Sequence, residues 1–310
     1  MLGDVNLGAD DAERTRRIAA LEWDYAAREL ESVAACNLCA GTRFVELSRR
    51  DRYGYAARTC ACLRCGLISL SPRLTTAEYA DFYATAYRPL VSAYHGRLID
   101  AETVQVEQRR YAAELVQFLR LSLPAPPSSV LDVGGSTGIV AGAVRDAFGA
   151  AATVLDPAPD ELAHAAASGM ETIAGFAEDA EVGARTFDLV LLCQTIDHLL
   201  DIAATLHSIR SWVAPGGFAF VDVLDVEFML LRRGAIEGAI KIDHPYSLTR
   251  ETALAYFRQA GLSPTAERLS EDGHLGFLLE PVEPAEPVWA ELAEAGEKLR
   301  RRAWRLRARS

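Results

Sequence analysis

The sequence predicts an α/β fold, a doubly wound and mostly parallel sheet with helices on both faces, preceded by a small module of different character. Three observations carry this reading. Strand-like and helix-like stretches alternate from Ser129 onward, the hydrophobic run at 130–133 leads straight into a glycine-rich turn, and five of the six cysteines lie between Cys36 and Cys65. Regular alternation of this kind implies a parallel sheet covered by helices. At 310 residues the chain is long enough to bury a sizeable core in one to three domains.

Taken in order, residues 10–34 read as a polar helix with Ile18, Leu21, Tyr25 and Leu30 roughly on one face. The stretch 36–70 is punctuated by cysteines and holds short β-like runs at 44–47 and 67–70. Residues 75–121 read as helices, the first opened by the capping-box pattern Thr75-Thr76-Ala77-Glu78. The proline-rich segment 123–128 cannot continue a helix and marks a boundary. Beyond it, strands are expected at 130–133, 152–156, 187–193 and 217–224, with a later pair near 265–269 and 276–280. Helices are expected at 138–148, 159–168, 201–213 and 249–260, and the arginine-rich tail from residue 285 is helical in pattern. The expected organisation is an N-terminal helix (1–35), a cysteine module (36–72), a helical connector or lid (73–127), the α/β domain (128–281) and a basic C-terminal helix (282–310).

Half of the residues are hydrophobic and 24% are charged, the balance of a globular protein. The net charge of −11 disfavours a polyanion such as RNA as the main partner, because phosphate contacts need clustered cations. No apolar run reaches the ~18–20 residues that span a bilayer. Acids and arginines, rather than an apolar signal core, fill the first residues, so a cytoplasmic location is expected. In a reducing compartment a cysteine cluster reads as a metal site before it reads as a disulfide framework.

That cluster has the spacing of a zinc-ribbon-like module. Cys36-Asn37-Leu38-Cys39 and Cys62-Leu63-Arg64-Cys65 form two CxxC knuckles separated by 22 residues, the supply of four thiolates that a closed structural zinc site needs. Cys60 competes with Cys62 for the third position, and Cys62 is favoured because it keeps the two-residue spacer. The arginines and aromatics of 49–55, with Tyr79, Phe82, Tyr83, Tyr87, Arg88 and Tyr94, would suit a phosphorylated or sugar-like ligand.

The segment Val130-Leu131-Asp132-Val133-Gly134-Gly135-Ser136-Thr137-Gly138 carries the functional reading. Glycines let the backbone approach a ligand, and the helix that follows offers unpaired N–H groups. The acid before the first glycine discriminates. A carboxylate there would repel a pyrophosphate, yet it suits the ammonium group of a methionine moiety. Asp156 ends the next strand, where a Rossmann-like fold places the acid that bonds ribose hydroxyls, and an NAD site would share it. A buried strand then leads to Gln194-Thr195-Ile196-Asp197-His198, and Pro215-Gly216-Gly217 turns into a further strand.

These four segments resemble, in order and spacing, the successive motifs of class I S-adenosylmethionine-dependent methyltransferases. The resemblance covers roughly residues 128–280 and implies S-adenosyl-L-methionine as cofactor. It implies that Asp132, Gly134, Gly135, Ser136 and Gly138 form the methionine-binding loop, with Asp156 on the ribose. It also places Phe176 or Glu178 near the adenine, and Gln194 with Asp197-His198 along the floor by the sulfonium. Ser136 departs from the family pattern, which has glycine there; a small side chain is expected to be tolerated.

With the cysteine module included, the whole arrangement from Cys36 to Pro281 resembles methyltransferases with an N-terminal zinc-binding domain, among them nucleotide-sugar C-methyltransferases. It implies a small-molecule acceptor such as a sugar, a nucleotide-sugar or a related hydroxylated metabolite, methylated on carbon or oxygen. Such an acceptor needs a base. Asp243-His244 followed by Tyr246 is the first candidate, because a carboxylate beside an imidazole can fix its tautomer. It resembles a Glu-His pair of those enzymes, with a shorter spacing to the tyrosine. His198 is the second candidate base. Two other readings compete: an RNA methyltransferase that grips nucleic acid with the cysteine module, and a non-catalytic scaffold.

Overall fold

The computed structural model describes residues 9–99, 101–177, 180 and 182–307. The chain divides into two compact units. One combines residues 1–104, 225–249 and 289–310, and the other combines 105–224 and 250–288.

The second unit is built on a seven-stranded sheet. Across it the strands run Glu171–Ala174, Ala151–Asp156, Ser129–Val133, Phe187–Leu192, Val213–Leu224, His274–Pro281 and Leu262–Leu269. The first five are mutually parallel, and the last two join as antiparallel neighbours. The expected α/β fold is therefore observed, with the sequence-derived strands in place and one further strand, Glu171–Ala174, at the edge. That edge strand is only partly buried, so its sequence lacks the continuous apolar run that marks the central strands.

Helices Ile139–Phe148, Pro159–Ala167, Ile202–Trp212 and Arg250–Ala260 connect the strands. Val140, Ala141 and Val144 of the first pack with Leu115 and Leu119 and with Val130, Val154 and Leu189 of the sheet in one buried cluster. Burial of aliphatic side chains on this scale is the main stabilising term for the layer. Gly138 makes the close approach possible: a Cβ there would lie 2.5 Å from Met170 and 3.2 Å from Val154. The strand order reverses beside Ser129–Val133, whose neighbours are the next strand on one side and Phe187–Leu192 on the other. In open α/β sheets this reversal leaves a crevice at the carboxyl ends of the two strands.

The first unit carries a four-stranded antiparallel sheet in the order Tyr246–Ser247, Ile68–Leu70, Thr59–Cys62 and Phe44–Ser48. A two-stranded sheet pairs Leu30–Glu31 with Arg73–Leu74. The helix expected over 10–34 stops at Ala19. Glu22 takes a φ of 54°, Asp24 caps a short 3₁₀ turn at Tyr25–Ala27, and the chain then enters the strand at Leu30. Local side-chain capping and strand pairing outcompete the helical periodicity there. Helices Thr76–Asp81 and Tyr87–His95 flank a π-helical turn at Phe82–Ala86. Thr75 caps the first through Glu78 N–H, half of the expected capping box, while Glu78 Oε1 accepts from Glu29 N–H and Thr75 N–H donates to the Glu29 carbonyl. The C-terminal helix Trp289–Arg307 buries Leu292, Leu299 and Ala303, and its Gly296 lies so close to Gly66 that a Cβ on either would be within 2.7 Å of the other's Cα.

Candidate functional sites

In the α/β unit, the turn after Ser129–Val133 is pinned from several sides. Gly134 N–H donates to the Leu155 carbonyl at 2.7 Å. A Cβ on Gly134 would meet Thr195 at 2.7 Å, and one on Gly135 would meet the Asp132 carboxyl at 2.8 Å. Both positions therefore require glycine, and the loop touches the turn that follows Phe187–Leu192. Ser136, which stands at the middle glycine of the family pattern, adopts a φ of 50°. Its N–H donates to Asp156 Oδ2 at 2.9 Å and its hydroxyl to Glu161 Oε2 at 3.0 Å, which hold the left-handed conformation in place. Asp156 also accepts from Ala158 N–H at 2.9 Å, and burial raises its pKa above the usual carboxylate range.

Asp132 is buried. Its Oδ2 accepts from Ala141 N–H in the first turn of the helix after the loop, and desolvation pushes its pKa up to about 7. Thr137 Oγ1, in the same loop, is buried with no hydrogen-bond partner. An orphaned hydroxyl beside a glycine cradle fits a site completed by a polar ligand. Gln194 sits at a φ of 52° in the facing turn. Phe176 is half exposed just after the edge strand, and Glu178 lies outside the described residues. His198 closes the 3₁₀ turn Ile196–His198, whose Asp197 accepts from Leu224 N–H at 3.2 Å.

In the first unit, Cys36, Cys39, Cys62 and Cys65 converge with all four sulfurs within 4.8 Å of one another, and all four residues are buried. The Sγ pairs Cys36–Cys65 and Cys39–Cys62 are 3.5 Å apart. Thiolates at ~2.3 Å from a tetrahedral zinc would be about 3.8 Å apart, so the set fits such an ion with little adjustment. Cys62, not Cys60, joins the group. The two knuckles share one backbone pattern. Cys36 N–H donates to Gly41 and Cys62 N–H to Leu67, while Ala40 and Gly66 return N–H bonds to the carbonyls of Cys36 and Cys62. Ala40 and Gly66 both have positive φ.

The segment carrying Asp243 and His244 also belongs to this unit. Tyr246 pairs with Ser69, so the strand Tyr246–Ser247 forms the edge of the cysteine module's sheet. Just before it the chain turns, with His244 N–H donating to the Lys241 carbonyl at 3.2 Å. An extended strand would send the neighbouring side chains of Asp243 and His244 apart. The turn instead brings His244 Nε2 to 3.5 Å from Asp243 Oδ2, with Lys241 Nζ at 3.4 Å from the same oxygen. Tyr53 donates its hydroxyl to Asp243 Oδ1 at 3.4 Å, and Tyr83 donates to the Asp243 carbonyl at 3.0 Å. Burial and the nearby carboxylate raise the Tyr53 pKa well above its usual value, so it stays a donor. Tyr246 accepts from Arg73 at 3.0 Å. Lys241 escaped the sequence reading because a lone lysine carries no motif; only the turn gives it a partner.

A family model described as a methyltransferase domain matches residues 104–267. Two curated relatives, both ubiquinone biosynthesis O-methyltransferases, align with part of the chain. The one from Methylobacterium nodulans is 33% identical over 116 residues, covering 34% of this chain and 45% of the relative. The one from Methylocella silvestris is 32% identical over 126 residues, covering 37% and 44%. The chain thus spans less than half the length of either relative. Among solved structures, a S-adenosylmethionine-dependent methyltransferase from Thermotoga maritima, described as a possible histamine N-methyltransferase, is similar at 17% identity. That match covers 59% of this chain and 94% of the other with a TM-score of 0.47.

Proposed function

We propose, for a chain that belongs to the methyltransferase-domain family, methyl transfer from S-adenosylmethionine to a small hydroxylated acceptor, with a sugar or nucleotide-sugar as the favoured class. The observation that carries the cofactor assignment is the glycine turn at the strand-order reversal, held between Asp132 and Asp156 and containing the buried, unpartnered Thr137 hydroxyl. The cofactor would supply an electrophilic methyl group on a sulfonium. The turn of Gly134, Gly135 and Ser136 would lie against its methionine portion, and Asp132 would offer the counter-charge for an ammonium. Asp156 has lone pairs beyond those that Ser136 and Ala158 use, and these would take the ribose hydroxyls.

Acceptor activation is assigned to His244, whose imidazole Nε2 lies 3.5 Å from Asp243 Oδ2, with Lys241 and Tyr53 beside that carboxylate and Tyr83 on the Asp243 carbonyl. A buried carboxylate beside one imidazole favours proton uptake from an acceptor hydroxyl or an acidic carbon. The polar surroundings of Asp243 support a hydroxylated acceptor. The cysteine cluster is assigned to structural zinc, since four thiolates leave no open position for chemistry. A second reading, O-methylation in ubiquinone biosynthesis, is favoured by the names of the two partial relatives.

The test is transfer from methyl-labelled S-adenosylmethionine to two panels, keto- and hydroxy-sugar nucleotides and hydroxylated quinone precursors. Label on the sugar panel is expected, together with a loss of about 10²-fold or more in kcat for His244→Gln at unchanged S-adenosylhomocysteine affinity. Label confined to the quinone panel would select the second reading, and full activity in His244→Gln would remove the base from its role.

A further inference from the structure

Gln194 has a left-handed backbone, uncommon for a long side chain, at the turn that faces the glycine loop. Something must over-determine it. Its N–H donates to Asp222 Oδ1 at 2.5 Å, and Asp222 Oδ2 accepts the Tyr111 hydroxyl at 2.7 Å. Asp222 lies on the neighbouring strand, Val213–Leu224, with its side chain fully buried. Every other residue from Phe218 to Val223 is non-polar, so a carboxylate there costs desolvation that an apolar residue would avoid.

The support continues outward. Asp222 is in register with Gly276, and Gly276 with Arg268, on three successive strands. The absent side chain at Gly276 leaves space for Arg268, whose Nε would be 2.9 Å from a Cβ there. The Arg268 guanidinium lies over the rings of Tyr111, Phe118 and Phe220, with its carbon 5.3, 5.7 and 5.3 Å from their centroids. The Arg268 cation over its ring steadies Tyr111, the Tyr111 hydroxyl holds the Asp222 carboxylate, and that carboxylate holds the Gln194 turn. His274 Nδ1, 4.0 Å from Asp222 Oδ2, is buried without a hydrogen-bond partner.

We infer that Asp222 and Tyr111 are positioning residues that hold the Gln194 turn in the conformation that receives the cofactor. The inference rests on the cofactor reading above and adds two residues to it. The carboxylate acts as a hydrogen-bond acceptor for the turn and not as a charge offered to the ligand. That distinction sets the variants. Asp222→Ala removes the acceptor. Asp222→Asn keeps an oxygen for Gln194 N–H and offers an N–H₂ to the Tyr111 oxygen. Gln194→Gly gives the turn a residue that takes positive φ without support.

The experiment is calorimetric titration of the zinc-loaded full chain with S-adenosylhomocysteine, with melting temperature recorded for each variant. Asp222→Ala is expected to raise Kd about tenfold and Tyr111→Phe about threefold, whereas Asp222→Asn stays within about threefold of the unmodified protein. In a Gln194→Gly background, Asp222→Ala is expected to change Kd by less than about threefold, an independence that general destabilisation would not produce. Equal losses in the Ala and Asn variants would overturn the positioning role in favour of a charge role. Unchanged Kd in Asp222→Ala, or a loss of about tenfold that persists in the Gln194→Gly background, would overturn it outright. Absence of binding by the unmodified protein would instead defeat the cofactor reading and this inference with it.

Discussion

Asp132, near the end of its strand, and Ser136, in the turn after it, each sit between opposing energetic effects. Asp132 titrates near 7 in the folded chain and near 4 when unfolded. The folded form therefore holds the proton more tightly, so the stability this group contributes is present in full below about pH 4. It is lost as pH rises through 7. Asp132→Asn is expected to raise the melting temperature of the ligand-free protein at pH 8 and to leave it nearly unchanged at pH 4, measured by differential scanning calorimetry. A ligand ammonium favours the ionised carboxylate, so S-adenosylhomocysteine affinity should climb between pH 6 and 8, and the climb should vanish in Asp132→Asn. Ser136→Gly relieves a left-handed serine but gives up the Glu161 hydrogen bond. The two effects, each roughly 1 kcal/mol, oppose one another, so thermal unfolding should change by less than about 1 kcal/mol.

Among the elements, the short strand Tyr246–Ser247 links the cysteine module to the candidate base. Leu70 N–H donates to the Pro245 carbonyl at 3.0 Å, and Arg52 N–H to the Ile240 carbonyl at 3.0 Å. Asp51, buried in the loop between the strands Phe44–Ser48 and Thr59–Cys62, accepts the N–H groups of Tyr53, Tyr55 and Ile242. Burial pushes its pKa up to about 7 despite those three donors. Residues 240–247 are thus hydrogen-bonded to the cysteine module at Arg52, Asp51, Ser69 and Leu70. Hydrogen-exchange mass spectrometry should find them protected in the metal-loaded protein. The protection should fall after chelation and, for Ile242 locally, in Asp51→Ala, which strands three donors at a cost of about 2 kcal/mol or more. Protection that survives chelation would show that the segment folds without the module.

Most of this element-level detail was not legible in the sequence. The central strands and their helices were, because continuous apolar runs and caps are local signals. The two CxxC knuckles were, because spacing alone brings thiols together. A two-residue strand donated by a distant segment has no local signature, and neither does Asp222, an isolated acid in an apolar strand. The helix assigned to 10–34 failed for a similar reason: its apolar spacing is real, but the partner that claims Leu30 and Glu31 lies at Arg73–Leu74.

On the scale of the whole molecule, the two units divide the proposed roles: the α/β unit, largely within the family match, would bind the cofactor, and the cysteine-containing unit carries the candidate base. Among the described residues no helix is long and apolar enough to cross a membrane. Metal content separates the two assignments. Zinc analysis should find one ion per chain, and its removal should abolish acceptor turnover while S-adenosylhomocysteine binding at the Gly134–Gly138 turn persists. The most direct test of the central claim is calorimetric titration of the purified chain with S-adenosylhomocysteine, beside Asp156→Ala. Saturable one-to-one binding that Asp156→Ala weakens at least about tenfold is predicted. A folded, metal-loaded protein that binds nothing, or an Asp156→Ala variant that binds as tightly as the unmodified chain, would contradict it.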